Sequence, residues 1–267
     1  MIKVIVIGAA GRMGRRLVVN IIESNDLELA GAIEAAECTL VGQDAGITAG
    51  IGQSGVIITT DLSAVITEAD AIIDFSIGNV VVNAQLAVDA NCSVVIGTTA
   101  LSDDNKAALA KMAEAGGRIV QAPNMSIGVN VLFHLCSQVT DILGDEYDIE
   151  IVEMHHNQKK DAPSGTAVRL AEVIVEARNL SYERDVVHGR EGMVGERKPN
   201  EIGMHAVRGG DVVGDHTVTF ATGGERVELT HKASSRDTFA KGALRATRFL
   251  ATVEAGLYDM QDVLGLR

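Results

Sequence analysis

The sequence predicts an α/β protein with an N-terminal, doubly wound parallel sheet and a second, α+β domain built on a mixed sheet. Three observations predict this class: an apolar strand that ends in a glycine-rich turn, a further series of short apolar runs that alternate with helical stretches, and a change of character after Asn124. The chain has 267 residues. Domains usually have about 100 to 150 residues, so this length fits two of them.

The first element is a strand that breaks at glycine. Residues 1–7 are largely apolar and β-branched, and Gly8, Gly11 and Gly14 follow with the spacing GxxGxxG. In the usual dinucleotide-binding turn, GxGxxG, the middle glycine lies one place earlier. Apolar positions within residues 17–22 predict a helix after the turn. Strand, turn and helix together predict a dinucleotide-binding Rossmann domain, and a plain strand-to-helix turn is the alternative.

An acidic residue stands where the second strand, residues 27–34, is predicted to end. Glu34 lies about 20 residues after Gly14, where an acidic side chain accepts hydrogen bonds from the ribose hydroxyls of a dinucleotide. Ala35 and Ala36 follow it, so neither position offers a cation to a 2′-phosphate. The sequence therefore favours NADH as the cofactor, although Arg12 keeps NADPH possible.

Further alternation completes the first domain. Strands are predicted at residues 56–59, 71–75, 94–97 and 118–122, and helices at residues 79–90 and 103–115. The glycine-rich residues 42–55 are predicted to be a mobile surface loop. Ligands of such sheets bind beyond the carboxyl ends of the strands. Three strand ends there carry groups suited to a nicotinamide ring: Phe75 and Ser76; Gly97, Thr98 and Thr99; and Ala122, Pro123, Asn124 and Met125.

The second domain is predicted to begin after these strand ends. It contains an amphipathic helix at residues 129–143, a strand at 147–153, a helix at 164–177, strands at 204–208, 217–222 and 226–231, and a long loop at 179–200. A helix from residue 236 onward is expected to return to the first domain. The predicted domains are residues 1–126 with 236–267, and residues 127–235.

The most unusual segment, residues 153–167, combines two histidines, a lysine and a predicted helix N-terminus. His155 or His156 can exchange a proton near neutral pH, and Lys159 can attract an anion. A helix that starts near Ser164 aims the backbone N–H groups of Gly165 and Thr166 outward, as a seat for a carboxylate. The segment therefore predicts a site for a small anionic substrate. A solvated polar loop, with its histidines capping backbone carbonyls, is the alternative.

Composition excludes several kinds of protein. The formal net charge of −13 disfavours nucleic acid and acidic membrane surfaces as partners. Three scattered cysteines form no CxxC pair, which argues against a disulfide framework and a thiolate metal site. Adjacent histidines point to opposite sides of an extended segment, so we expect no metal. The chain opens directly into a strand and lacks a run of about 18 apolar residues, so we expect a cytoplasmic protein that does not span a membrane.

These motifs resemble the 4-hydroxy-tetrahydrodipicolinate reductase family, also called dihydrodipicolinate reductases. The resemblance covers essentially the whole chain and rests on five ordered segments: residues 8–14, 97–99, 122–130, 153–167 and 231–236. It implies NAD(P)H-dependent reduction of a cyclic dicarboxylate in diaminopimelate and lysine biosynthesis. It also implies a Rossmann domain completed by the C-terminal helix, a central domain that binds substrate and builds a homotetramer, and closure of the two domains over both ligands.

The resemblance also implies roles for individual residues. His155 matches the proton donor or acceptor, Lys159 the second catalytic residue, and His156, Gly165 and Thr166 the substrate-binding positions. The positions that match the nucleotide site are Gly8, Ala9, Ala10, Gly11, Arg12, Met13, Glu34, Gly97, Thr98, Thr99, Ala122, Pro123, Asn124 and Met125. Two other functions stay open: a different nicotinamide-dependent oxidoreductase on the same scaffold, and a non-catalytic regulator that binds NADH.

Overall fold

The computed structural model describes residues 1–98 and 101–267. Its strands are β1 (Ile2–Ile7), β2 (Leu27–Ile33), β3 (Ile58–Thr59), β4 (Ala71–Asp74), β5 (Ser93–Ile96), β6 (Arg118–Gln121), β7 (Asp148–His155), β8 (Val186–His188), β9 (Ile202–Arg208), β10 (Gly214–Thr222), β11 (Glu225–Ala233) and β12 (Gly256–Tyr258). Its α-helices are α1 (Arg12–Ile22), α2 (Ala45–Ala49), α3 (Val80–Asp89), α4 (Asp103–Glu114), α5 (Ile127–Leu143), α6 (Gly165–Ala177), α7 (Tyr182–Asp185), α8 (Asp237–Leu250) and α9 (Met260–Leu264). The chain divides into two units: unit 1 is Met1–Ile127 with Arg236–Arg267, and unit 2 is Gly128–Ser235.

Unit 1 is built on a parallel sheet with the strand order β12-β6-β5-β4-β1-β2-β3. Successive residues of β1 enter different apolar clusters: Val4 and Val6 join one, and Ile5 and Ile7 join the other. Because neighbouring side chains of a strand point to opposite faces, both faces of this sheet are covered. After β1 the chain adds β2 and β3 on one side of the β1–β4 pair, and after β4 it adds β5 and β6 on the other side. In a doubly wound sheet this switch point opens the crevice in which a ligand binds.

The turn after β1 depends on close backbone approach. Gly8 has φ +77°, a region that glycine adopts without strain, and its N–H donates to the carbonyl of Ile33. At Gly14, inside α1, an added Cβ would lie 2.0 Å from the carbonyl oxygen of Gly8. These two glycines therefore allow α1 to begin directly over the end of β1.

Helix α8 belongs to the same unit as α1. Arg16 of α1 pairs with Asp237 of α8 through two hydrogen bonds, of 2.5 and 2.8 Å. Arg248, in the last turn of α8, pairs with Asp26, which precedes β2. The C-terminal residues Arg236–Arg267 thus belong to unit 1.

The loop predicted at residues 42–55 was wrong in part, because Ala45–Ala49 form helix α2. Asp44 is buried and caps the short helix α2, accepting hydrogen bonds from the N–H groups of Gly46 and Ile47. The same carboxylate accepts from the N–H groups of Ser54 and Gly55, which bring the far end of the segment back to its start. The high glycine content reflects tight turns around one buried carboxylate rather than a lack of order.

Unit 2 is built on a mixed sheet with the order β11-β10-β7-β9-β8, in which β7 pairs antiparallel to β10 and parallel to β9. One face of β7 is buried: Ile149 and Ile151 join the apolar core of the unit. Because side chains of a strand alternate between its two faces, Glu153 and His155 lie on that same face. The row of apolar core residues therefore continues as two buried polar residues.

The predicted long loop at 179–200 was wrong in part. Residues 182–188 form α7 and the edge strand β8, which pairs with β9. Strand β12 and helix α9, near the C-terminus, were not predicted from the sequence. β12 has only three residues and pairs with β6 at the edge of the first sheet, so its apolar pattern is too short to be distinctive.

One helical stretch in the described residues, Ile127–Glu146, is long and apolar enough to cross a membrane by length and composition. Core helices of globular domains pass the same test. Leu132, Phe133 and Cys136 of this helix lie in the apolar core of unit 2. Packing in this core thus accounts for part of the helix's apolar surface, while Ile142 is exposed.

Candidate active site

A cleft of about 760 Å³ opens at the switch point of unit 1. Its lining includes residues from the ends of β1, β2 and β4, namely Ile7, Gly8, Gly11, Ile33, Glu34, Ala35, Ala36, Glu37, Thr60, Phe75, Ser76, Ile77, Asn79 and Asn83. Gly8, Gly11 and Glu34 thus border one cavity. Arg12 and Met13 begin α1 immediately beyond the turn.

The Glu34 carboxylate faces the glycine turn. Its Oε2 accepts a hydrogen bond of 2.9 Å from the N–H of Ala10, and its Oε1 accepts one of 3.1 Å from the N–H of Ala35. These contacts hold the acidic group between the turn and the cleft. Ala9, by contrast, is buried beneath the turn, so its side chain serves packing.

The ends of β4 and β5 contact each other. Thr98 Oγ1 donates to the carbonyl of Ser76 at 2.8 Å, and a Cβ at Gly97 would lie 2.1 Å from the ring of Phe75. Asp74, buried at the end of β4, accepts from the N–H and the hydroxyl of Ser76. Thr99, the remaining predicted residue of this segment, lies outside the described residues.

The segment after β6 lies at the same carboxyl edge. Ala122 and Met125 are buried in the core, which leaves their backbone atoms for any ligand contact. Met125 packs against α8, where a Cβ at Gly242 would lie 1.7 Å from its carbonyl oxygen. Pro123 is exposed, and Asn124 Oδ1 accepts from the N–H of Ser126.

In unit 2 a buried carboxylate holds the predicted catalytic histidine. Glu153 has no exposed surface, and its Oε2 lies 2.6 Å from His155 Nδ1. Arg208 of β9 donates from Nη1 to Oε2 at 2.7 Å and from Nη2 to Oε1 at 2.9 Å. Ser164 donates its backbone N–H to Oε1 at 3.0 Å. The carboxylate therefore connects β7, β9 and the start of α6.

These contacts set the charge state of the pair. Burial by itself would raise the pKa of Glu153, but hydrogen bonds from Arg208, His155 and Ser164 outweigh it and hold the pKa below its usual value. For His155, burial, together with the charges of Lys159 and Arg208, lowers the pKa although the Glu153 carboxylate opposes it. Near neutral pH the pair is therefore an ionised carboxylate beside a neutral imidazole.

A second histidine packs against the first. The rings of His155 and His216 meet edge to face, with centroids 5.2 Å apart. His216 Nε2 lies 3.0 Å from the hydroxyl of Ser164, which also caps α6 by accepting from the N–H of Ala167. Burial, with the positive charge that His155 can carry, lowers the pKa of His216 to about 3. His216 is thus neutral near pH 7 and packs against the ring of His155.

The other predicted substrate residues lie on the loop between β7 and α6. Lys159 Nζ pairs with Asp161 at 2.9 Å, and His156 Nδ1 accepts from the N–H of Gln158. Gly165 is exposed at the first turn of α6, whose dipole places partial positive charge there. The loop thus presents a cation and a helix N-terminus to a ligand.

Sequence analysis assigned no role to Glu153, Arg208 or His216. The signal for Glu153 was present: a carboxylate two positions before His155 in a strand must share its face. No comparable signal marks Arg208 or His216, because only strand pairing brings β9 and β10 beside β7.

A dinucleotide cleft at the switch point, with a buried carboxylate–histidine pair and a lysine in the second unit, is typical of a nicotinamide-dependent oxidoreductase. Comparison with known proteins identifies the family. Residues 2–125 match the family description "Dihydrodipicolinate reductase, N-terminus", and residues 128–264 match "Dihydrodipicolinate reductase, C-terminus". The chain belongs to the dihydrodipicolinate reductase family and is an oxidoreductase that uses a nicotinamide cofactor.

Individual relatives agree along the whole chain. A 4-hydroxy-tetrahydrodipicolinate reductase from Syntrophotalea carbinolica is 52% identical over 268 residues, covering 100% of both chains. The protein of the same name from Geotalea daltonii is 48% identical with the same coverage. A dipicolinate-bound dihydrodipicolinate reductase from Paenisporosarcina sp. TG-14 has a similar structure, with a TM-score of 0.77, 24% identity and 98% coverage of each chain.

The lowered pKa of His216 predicts a contribution to pH-dependent stability. Between its ordinary pKa of 6.5 and about 3, the unfolded chain binds a proton that the folded chain does not, so stability falls as the pH falls through this window. The limiting slope is about 1.4 kcal/mol per pH unit. We expect the melting temperature of His216→Gln to fall less between pH 7 and pH 4 than that of the wild type. The exposed His188→Gln variant is the control, and parallel curves for His216→Gln and wild type would contradict the prediction.

Proposed function

We propose that this chain reduces 4-hydroxy-tetrahydrodipicolinate to tetrahydrodipicolinate with a reduced nicotinamide dinucleotide, in diaminopimelate and lysine biosynthesis. The observation that carries the proposal is 52% identity, over the full length of both chains, to a relative of that name. The site geometry supports it, because the described residues offer a dinucleotide cleft in one unit and an acid–base group with a neighbouring cation in the other.

The cleft of unit 1 fits a nicotinamide dinucleotide. Gly8 adopts its positive φ at the start of the turn, and Gly11, without a Cβ, leaves the backbone open to a pyrophosphate. Glu34 borders the same cleft and is the residue we assign to the ribose hydroxyls. When bound, the reduced cofactor supplies the hydride, and the protein supplies orientation and electrostatics.

We assign the substrate to unit 2. Lys159 and the N-terminus of α6, at Gly165 and Thr166, are the groups we assign to a carboxylate of the substrate, together with His156. Lys159 must then exchange its contact with Asp161 for one with the substrate. A bound dianion would favour the protonated form of His155 and so offset the effect of its burial.

His155 is the residue we assign to proton transfer. The net reaction adds a hydride and a proton to the cyclic substrate and releases the 4-hydroxyl group as water. With Nδ1 directed at Glu153, the Nε2 atom is the one left for proton exchange. Whether His155 donates directly or through an oriented water, this nitrogen is the acid–base group of the site.

We further propose NADH as the preferred cofactor. Beyond Glu34 the cleft is lined by Ala35, Ala36 and Glu37, so this rim offers a carboxylate and no cation to a 2′-phosphate. Arg12 begins α1 on the exposed side of the turn and is the group through which NADPH could still be held.

We also expect a homotetramer. The helices of unit 2 cover one face of its sheet, and the other face carries the exposed valines Val152 and Val207, with 40% and 41% of their surface accessible. Exposed apolar side chains on an uncovered sheet face are typical of a protein interface. Light scattering would test this: a mass of four 28.1 kDa chains supports the proposal, and a monomer refutes it.

The activity itself is tested by the loss of reduced-nicotinamide absorbance when the purified protein meets substrate generated in situ from pyruvate and aspartate semialdehyde by the preceding synthase. We expect oxidation with both cofactors and a higher rate with NADH. Binding of NADH without any oxidation would instead support a different substrate or a non-catalytic sensor.

Lys159→Ala should impair both substrate affinity and turnover. A charged hydrogen bond is worth about 1.5–3 kcal/mol, so we expect the KM for substrate to rise by about tenfold or more. The neighbouring Lys160→Ala is a matched control, because Lys160 is exposed and its substitution removes an equal charge from the same loop. An unchanged substrate KM in Lys159→Ala would count against its carboxylate-binding role.

Ala35→Arg should shift cofactor preference toward NADPH. Exposed ion pairs are worth up to about 1 kcal/mol, so the ratio of kcat/KM for NADPH to that for NADH should rise by up to about fivefold. Ala35→Gln adds a long side chain without charge and controls for shape. Equal shifts in the two variants would show that charge at this position does not govern preference.

A further inference from the structure

We propose that Glu153, fixed by Arg208, is the positioning residue that sets the tautomer and orientation of His155. This inference rests on the proposed function, in which His155 is the acid–base group. The geometry that carries it is the 2.6 Å contact between Glu153 Oε2 and His155 Nδ1, made by a carboxylate with no exposed surface.

The carboxylate is held in place by other contacts. The two terminal nitrogens of Arg208 donate to its two oxygens, a bidentate geometry that fixes the carboxylate plane. The N–H of Ser164 donates to Oε1 as well. Because a buried charge without such partners is costly, Glu153 cannot turn away without losing several hydrogen bonds. Its position is therefore independent of any ligand.

An ionised carboxylate can only accept hydrogen bonds. The imidazole nitrogen that faces it must therefore carry a proton, which makes His155 the Nδ1–H tautomer when it is neutral. The Nε2 atom is then the basic nitrogen that gains and loses the catalytic proton. Without the carboxylate, either tautomer would be available and the ring could rotate.

The rest of the pocket leaves room for this ring position. The ring of His216 packs edge to face against that of His155. On the Nε2 side lies Gly214, where a Cβ would stand 3.0 Å from Nε2. The glycine at the start of β10 thus leaves space beside Nε2 of the imidazole, while Glu153 binds Nδ1 on the opposite side of the ring.

The surrounding charges make Glu153 the group that favours the protonated ring. Burial, Lys159 and Arg208 all disfavour the imidazolium, and so does the neighbouring His216 if it becomes charged. Glu153 opposes them through both its hydrogen bond and its charge. Removing that charge should lower the pKa of His155 further and reduce its ability to donate a proton near neutral pH.

The variant Glu153→Gln tests the proposal because it keeps the size of the side chain. Arg208 and the N–H of Ser164 require an acceptor, so the amide oxygen should face them and the amide NH₂ should face His155. That arrangement favours the opposite tautomer, with the proton on Nε2. We expect kcat to fall by about 10²- to 10⁴-fold, as for other misplaced acid–base groups, with the KM for NADH within about twofold of wild type.

Two readouts separate positioning from a merely structural role. The His155 pKa in the pH profile of kcat should shift to lower pH in Glu153→Gln. Neutron diffraction from deuterated wild-type protein should show the His155 deuteron on Nδ1. Because the diffraction result needs neither a variant nor turnover, it stands even if Glu153→Gln does not fold or the proposed reaction is not observed.

Glu150→Gln is a matched control. Glu150 lies on the same strand and contacts Arg190, Arg197 and His205, but its side chain points to the opposite face of the sheet. The Glu150→Gln substitution should leave kcat within about twofold of the wild-type value. A wild-type deuteron on Nε2, or a Glu153→Gln enzyme with an unchanged pH profile and turnover, would overturn the proposal. Absent turnover in wild type, with the deuteron on Nδ1, would instead refute the proposed reaction alone.

Discussion

The second unit depends on one buried carboxylate. Glu153 occupies a position where the strand pattern calls for an apolar core residue, and it accepts hydrogen bonds from β9, from the N-terminus of α6 and from its own strand. A buried charge of this kind is stable only when all its partners are in place. The polar cluster around it therefore fixes where β9 and α6 meet the end of β7, and the loop that carries Lys159 lies between those anchors.

The first unit rests on a different constraint, which is close packing of backbone against backbone. Gly14 lies so near Gly8 that no side chain fits between them, and Gly242 lies equally near Met125. These contacts bring α1 and α8 against the ends of the parallel strands. The cleft itself lies where the strand order reverses, at the carboxyl ends of β1 and β4.

Most elements could be predicted from the chain because their patterns are long or have distinctive ends. The first strand and its glycine turn, the helix with buried positions at Leu17 and Ile21, and the strand that leads into His155 all have clear periodicity. The errors fall where that signal is weak. The segment around Asp44 looks disordered by composition, but one carboxylate that accepts several backbone N–H groups organises it. Strands β8 and β12 have three residues each, too few to show a period.

The sequence by itself determined the fold class, the family and the candidate groups His155, Lys159 and Glu34, because each belongs to a local motif whose chemistry can be read along the chain. Tertiary structure alone decided which partners surround them. Arg208 and His216 reach His155 only through the pairing of β9 and β10 with β7, at separations of 53 and 61 residues. Strand register sets such contacts, and register depends on the packing of the whole sheet rather than on any local pattern.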